Sequence, residues 1–148
     1  MIITAIIEIP RGDDRRRHVN THNKSEFVDL GPMRDHILVN GGIAPEHYGF
    51  VPDTHNPNDE DDVDVLVFSE HSAHVGQMLD VRPIALLKRT DGDEKVVAVE
   101  PGSPIQTWEE LDGARRELVL AFYGSHHTIT SVKNAKAAEQ YIRDSRVN

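Results

Sequence analysis

Five acidic side chains fall within six positions, Asp59-Glu60-Asp61-Asp62-Val63-Asp64, and the apolar run Val65-Leu66-Val67-Phe68 follows at once. Like charges this close repel. Two unit charges ~4 Å apart interact by roughly 1 kcal/mol in water and about 4 kcal/mol near a protein surface. A solvated tail disperses that repulsion. A turn anchored to a buried strand does not, unless a cation sits among the carboxylates. Hard divalent cations such as Mg²⁺ take oxygen ligands, usually carboxylates, waters and substrate phosphates. The segment therefore reads either as a divalent-metal site at the mouth of a strand or as an acidic loop in open solvent. An EF-hand is excluded, because Asp64 stands where that loop requires glycine.

Charge and composition narrow the classes further. A chain of 148 residues suits one domain, 1–148, with a real core. Acidic residues outnumber basic ones 25 to 16 and the net charge is −9. That balance disfavours nucleic-acid binding, which wants a basic face. There is no cysteine, hence no disulfide framework and no Cys-based zinc site. The nine histidines lack the spacing of zinc motifs and read as surface residues. No apolar stretch approaches the ~20 residues needed to span a bilayer. Met1 to Glu8 carries neither the basic region nor the cleavage motif of a signal peptide. The expectation is a cytoplasmic protein without nucleic-acid or membrane partners.

Short apolar runs divided by turn residues dominate the first two thirds of the chain. Ile2 to Ile9 reads as a strand ending at Pro10, and Pro10 to Lys24 as a loop or irregular hairpin. Phe27-Val28-Asp29-Leu30 and His36-Ile37-Leu38-Val39 are short strand candidates, and Gly41-Gly42 marks a turn. Tyr48 to Pro52 is extended, Val63 to Phe68 a buried strand, and Val81 to Arg89 another, with Pro83 at an edge or bulge. Asp91-Gly92-Asp93 turns the chain back into Glu94 to Val99. Thr107 is the expected cap of a helix from Trp108 to Tyr123. A second helix is expected over Asn134 to Arg143, with Ala135, Ala138 and Ile142 at helical spacing. The expected class is α+β, mainly β: a small barrel with helices packed outside.

Several of these segments, in this order, resemble the soluble family I inorganic pyrophosphatases. They are Ile7-Glu8-Ile9-Pro10, Pro45-Glu46-His47-Tyr48-Gly49-Phe50-Val51-Pro52, the acidic segment through Val67, Arg82 to Lys88, and Asp91 to Val99. The D-x-D-x-x-D spacing after the Tyr-Gly-Phe segment is the family's signature. The resemblance implies an OB-like five-stranded β-barrel with flanking C-terminal helices. It implies Mg²⁺-dependent hydrolysis of diphosphate, with Mn²⁺ as a substitute, and a homo-oligomer, a hexamer in bacterial members.

By the same resemblance, Asp59, Asp64, Asp91 and Asp93 hold metals, and Glu8 serves further metals bound with substrate. Asp61 is the general base toward the attacking water. Lys95, Tyr48 and Arg17 bind substrate phosphate. The chemistry asks for this set: phosphoryl transfer from an anhydride needs charge neutralisation, an in-line nucleophile and a cradle for the leaving phosphate. Two metals ~3.5–4 Å apart stabilise both attacking and leaving oxygens.

Departures from the family pattern fall mostly in the cradle. Val19 stands where a second glutamate is expected, His36 where an arginine is expected, and Ala44 in place of a tyrosine. Gly124 takes the place of the lysine that follows Tyr123, and the turn between Asp91 and Asp93 is short. His36 and Tyr123 remain as substrate-binding candidates. Charge-assisted hydrogen bonds contribute about 1.5–3 kcal/mol each, so two or three lost contacts weaken binding by orders of magnitude unless replaced. Arg11, Arg15, Arg16, His18, His126 and His127 are the candidate replacements. Two other readings follow: a relative acting on a larger phosphoanhydride or phosphate ester, and a silent relative that only binds metal and phosphate. Retention of Asp61 argues against the second.

Overall fold

A computed structural model describes residues 1–56 and 61–147. Among these residues eight strands and two α-helices appear in the order β1 (Ile3–Ile9), β2 (Arg15–Val19), β3 (Phe27–Pro32), β4 (His47–Val51), β5 (Val63–Phe68), β6 (Met78–Arg89), β7 (Lys95–Val99), α1 (Gly113–Tyr123), β8 (Ile129–Asn134) and α2 (Ala135–Ser145). The main sheet runs β1-β4-β5-β7-β6-β8, and β1 also pairs with β6. Five strands therefore close into a ring, which removes the free edges that an open sheet exposes. β8 adds to β6 outside the ring, and β2 and β3 form a separate hairpin.

Strand alternation explains the two apolar clusters. In β5, Val63, Val65 and Val67 point to one cluster, which α2 covers with Ala138 and Ile142. Leu66 and Phe68 point to the other, which α1 covers with Val119, Phe122 and Tyr123. Gly49 has a local reason to be glycine. A Cβ there would lie 2.0 Å from the carbonyl oxygen of Ile6 on β1, so any side chain would push β4 off its neighbour. The bulge expected at Pro83 is present as a register shift between Pro83 and Ala85 against β7.

Several elements differ from expectation. His36 to Val39 is not a strand but lies between two short 3₁₀ turns, Met33–Asp35 and Val39–Gly42. The Met33 carbonyl accepts from both His36 and Ile37 N–H, and Asn40 and Gly41 take left-handed φ of 56° and 65°. A chain turning that tightly cannot lay down a ladder. The helix expected from Trp108 begins instead at Gly113, after a 3₁₀ turn over Trp108–Glu110. Leu111 is extended and buried, and the cap is Asp112, whose side chain accepts from Arg115 N–H at 3.0 Å. Thr107 donates its hydroxyl to Glu110 instead. β8 had no strand signal, because Thr130, Ser131 and Lys133 make it polar. The second helix begins one residue after Asn134, whose side chain caps it by accepting from Ala137 N–H. Among the described residues no helix is long and apolar enough to cross a membrane.

Candidate active site

β5 and β7 run parallel, with Asp64 opposite Lys95. Alternation puts Asp64 on the face of Leu66 and Phe68, and Lys95 on that of Val97 and Val99. Both charges therefore sit at the end of an apolar wall. Lys95 is only 3% exposed, and its ammonium spends its three donors on three oxygens. These are Asp64 Oδ2 at 2.7 Å, Asp93 Oδ2 at 3.1 Å and the Tyr48 hydroxyl at 3.0 Å. Burial disfavours the ammonium, but Asp64 and Asp93 outweigh it and raise the Lys95 pKa. Burial also pushes the Asp64 pKa up, against the pull of Lys95. The two shifts favour opposite states of the pair. Two carboxylates share one ammonium, so the lysine stays charged and the surplus negative charge weighs on Asp64.

The turn after β6 brings the next two acids. Arg89 donates from Nε to Asp91 Oδ1 at 3.1 Å and from Nη2 to Asp91 Oδ2 at 2.5 Å. That pairing holds the Asp91 carboxyl down at about 2. The same guanidinium lies 3.6 Å from Asp93, which also accepts from the side chain of buried Asn56 at 3.3 Å. Asn56 thereby ties the acidic loop to the turn.

Glu8, one residue before the end of β1, lies inside the protein, 2% exposed, and accepts from Val19 N–H at 2.6 Å. Burial raises its pKa to about 7, with Asp64 and Asp61 adding to the rise. His18 Nε2 lies 3.4 Å from Asp61 Oδ2. Burial opposes the charged imidazole, but Glu8, Asp61 and Asp64 raise its pKa on balance.

Above these groups opens a cavity of about 490 Å³. Arg17, His36, Tyr48, Arg89, Lys95 and Tyr123 line it, together with Arg16, His18, His126 and His127. The structure thus places Glu8, Asp61, Asp64, Asp91, Asp93, Lys95 and Tyr48 in one linked set, and Arg17, His36 and Tyr123 on the cavity wall. Asp59 lies outside the described residues. Arg17 is held by Asp13 at 2.5 Å. Tyr123 stacks on Tyr48 with ring centroids 5.4 Å apart, and burial raises its pKa. His36 stacks on His126 at 4.6 Å, and burial with neighbouring positive charge lowers its pKa. Arg15 instead pairs with Asp29, and Arg11 is absent from the lining.

The departures have structural counterparts. Val19 is buried and Ala44 packs in the core. Gly124 closes α1, its N–H bonded to the Leu120 carbonyl at 2.9 Å, and a Cβ there would stand 2.6 Å from that same oxygen. A lysine does not fit without moving the helix end. Sequence reasoning missed Arg89 and Asn56. Arg89 reads as one more basic residue at a strand end, and Asn56 as loop.

Comparison with known proteins decides the family. The family profile described as Inorganic pyrophosphatase matches residues 5–147. The chain belongs to the inorganic pyrophosphatase family. An inorganic pyrophosphatase of Haloferax volcanii is 36% identical, over 90% of this chain and 76% of its own length. One from Leifsonia xyli subsp. xyli is 31% identical, over 97% of this chain and 93% of its own. The crystal structure of inorganic pyrophosphatase from Ehrlichia chaffeensis shares the fold with a TM-score of 0.85, 24% identity, and coverage of 97% and 92% of the two chains. That fold is OB-like, and the ring of five strands agrees with it.

The family generally uses a divalent metal, and the donors here suit one. Glu8, Asp64, Asp91 and Asp93 offer only hard carboxylate oxygens. Among the described residues no three such groups stand ready as a cage. Lys95 instead bridges Asp64 and Asp93, and Arg89 bridges Asp91 and Asp93.

Proposed function

We propose that this chain, as one domain over residues 1–148, hydrolyses inorganic diphosphate to two phosphates with Mg²⁺, and with Mn²⁺ as a substitute. One observation carries the reading. Among the described residues, Lys95 and Arg89 bridge the carboxylates of Asp64, Asp91 and Asp93, with Glu8 and Asp61 beside them, beneath a cavity that Arg16, Arg17 and four histidines also line. A floor rich in carboxylates under a wall rich in basic side chains suits a metal-bound polyanion.

Glu8, Asp64, Asp91 and Asp93 would hold the metal, with Asp59 as a further ligand by resemblance. Bound there, it polarises phosphoryl oxygens and lowers the pKa of water. Asp61 accepts the proton of the attacking water. The water oxygen bonds to one phosphorus, the bond from that phosphorus to the bridging oxygen breaks, and the second phosphate leaves. Lys95 and Tyr48 bind phosphate from the floor, and Arg17, His36 and Tyr123 line its approach. Phosphate release with Mg²⁺, compared between the chain and Asp61→Asn, tests the reading. The rate is expected to fall by about 10²–10⁴-fold, the usual contribution of a general base. Undiminished release by Asp61→Asn overturns the assignment.

A second reading, a larger phosphoanhydride or phosphate ester, is favoured by the rim. Leu30 is 52% exposed there and the His36–His126 stack offers a flat face. Faster turnover of nucleotides than of diphosphate would establish it. By family resemblance the protein works as a cytoplasmic homo-oligomer, a hexamer in bacterial members. Exposed Ile2 and Met78, at opposite ends of the ladder between β1 and β6, are candidates for its contacts.

A further inference from the structure

Arg89 has two jobs in this arrangement. We infer that it binds substrate phosphate in place of the cation missing after Tyr123, and that it occupies Asp91 and Asp93 only until metal displaces it. The inference rests on the diphosphate reading above.

Four observations support it. Position 124 cannot supply the charge, because its Cβ site is filled by the Leu120 carbonyl. Arg89 reaches the same neighbourhood from the end of β6: its Nη1 donates to the Tyr123 carbonyl at 3.3 Å, one residue from Gly124. Its side chain is 12% exposed and lines the cavity. Its remaining donors, Nε and Nη2, grip Asp91 as a fork, and a guanidinium fork fits a phosphate as well as a carboxylate.

The consequence is an exchange of partners. When a divalent cation takes Asp91 and Asp93, the fork loses both anions. The guanidinium stays tethered to Tyr123 through Nη1, and a mostly buried cation without an anion is unfavourable. A phosphate entering the cavity supplies that anion. Arg89 therefore opposes metal binding in the empty site and favours substrate once metal is in place.

These opposite signs give the test. Mn²⁺ is titrated into metal-free protein by calorimetry, and imidodiphosphate, a non-hydrolysable analogue, into the Mn²⁺-loaded protein. Arg89→Met is expected to tighten Mn²⁺ several-fold and to weaken the analogue by about ten- to a hundredfold, the range of one charge-assisted hydrogen-bonding group. KM for diphosphate should rise more than kcat falls. Arg89→Lys keeps the charge without the fork. It should leave Mn²⁺ affinity near that of the unchanged protein and still weaken the analogue, so the claim stands open to test even if the methionine variant misfolds. Two unchanged affinities, or a parallel weakening of both, would make Arg89 a mere clip of the turn and overturn the inference. If the unchanged protein binds neither Mn²⁺ nor analogue, the diphosphate reading fails first and takes this one with it.

Discussion

Two buried clusters pair cations with carboxylates in this barrel, and they close their charges differently. At one, Arg115 of α1 grips Glu46 from Nε at 2.8 Å and Nη2 at 2.5 Å, donates to the Ser69 carbonyl, and lies over the Phe68 ring. Glu46 is fully buried, and the pair is neutral by itself. Glu70 joins it from the surface. At the other, Lys95 and Arg89 serve Asp64, Asp91 and Asp93, with Glu8 and Asp61 close behind and a cavity open above. The Arg115–Glu46 pair, although a second cavity of about 560 Å³ opens beside it, matches one cation to one buried carboxylate and ties α1 to the segment before β4. A cluster left with surplus negative charge can exchange one cation for another, and that is what a metal-dependent site needs.

The sharpest way to break the comparison is to take one cation from each cluster. Arg115→Met leaves Glu46 buried and unpaired. It is expected to destabilise the fold by about 3–5 kcal/mol, read by urea denaturation, with kcat unchanged where the protein stays folded. Lys95→Met removes a charge that divalent metal can replace. Stability of the Mg²⁺-loaded protein should fall far less, while phosphate release drops by about a hundredfold through the lost substrate contact. If Lys95→Met unfolds the loaded protein as readily as Arg115→Met does, the two clusters are alike and the contrast collapses.

A smaller effect sharpens it. The Glu8 pKa is raised from 4.5 to about 7, so the folded protein holds a proton that the unfolded chain releases. Stability from this group is complete below pH 4.5 and is lost as pH rises through about 7. Metal-free protein should therefore lose stability across that window. Metal binding near Glu8 should expel about half a proton at pH 7. Calorimetry in buffers of different ionisation heat reads that proton directly.

Local signals carried much of this into the sequence. The apolar runs at Ile3–Ile9 and Val63–Phe68 have the period and length of buried strands, while Glu8, Asp64 and Lys95 are singled out only by the resemblance of the motifs around them. What escaped depends on partners distant in sequence. Arg89 matters because the Tyr123 carbonyl and Asp91 meet its fork, and Asn56 because Asp93 lies beside it. His36 to Val39 misled because left-handed turns at Asn40 and Gly41 override its apolar character. Thr107 misled because Asp112 stands nearer the start of the continuous helix.

The central claim of the proposed function is that the Lys95–Arg89 cluster can take up a pair of divalent ions and the Arg115–Glu46 pair takes up none. Electron paramagnetic resonance of the Mn²⁺-loaded protein tests it most directly. Two ions per chain should give the spin-coupled spectrum of a pair ~3.5–4 Å apart. That signal should vanish in the double variant Asp64→Asn, Asp93→Asn and persist in Arg115→Met. Folded protein that takes up a single uncoupled ion, or none, would contradict the account.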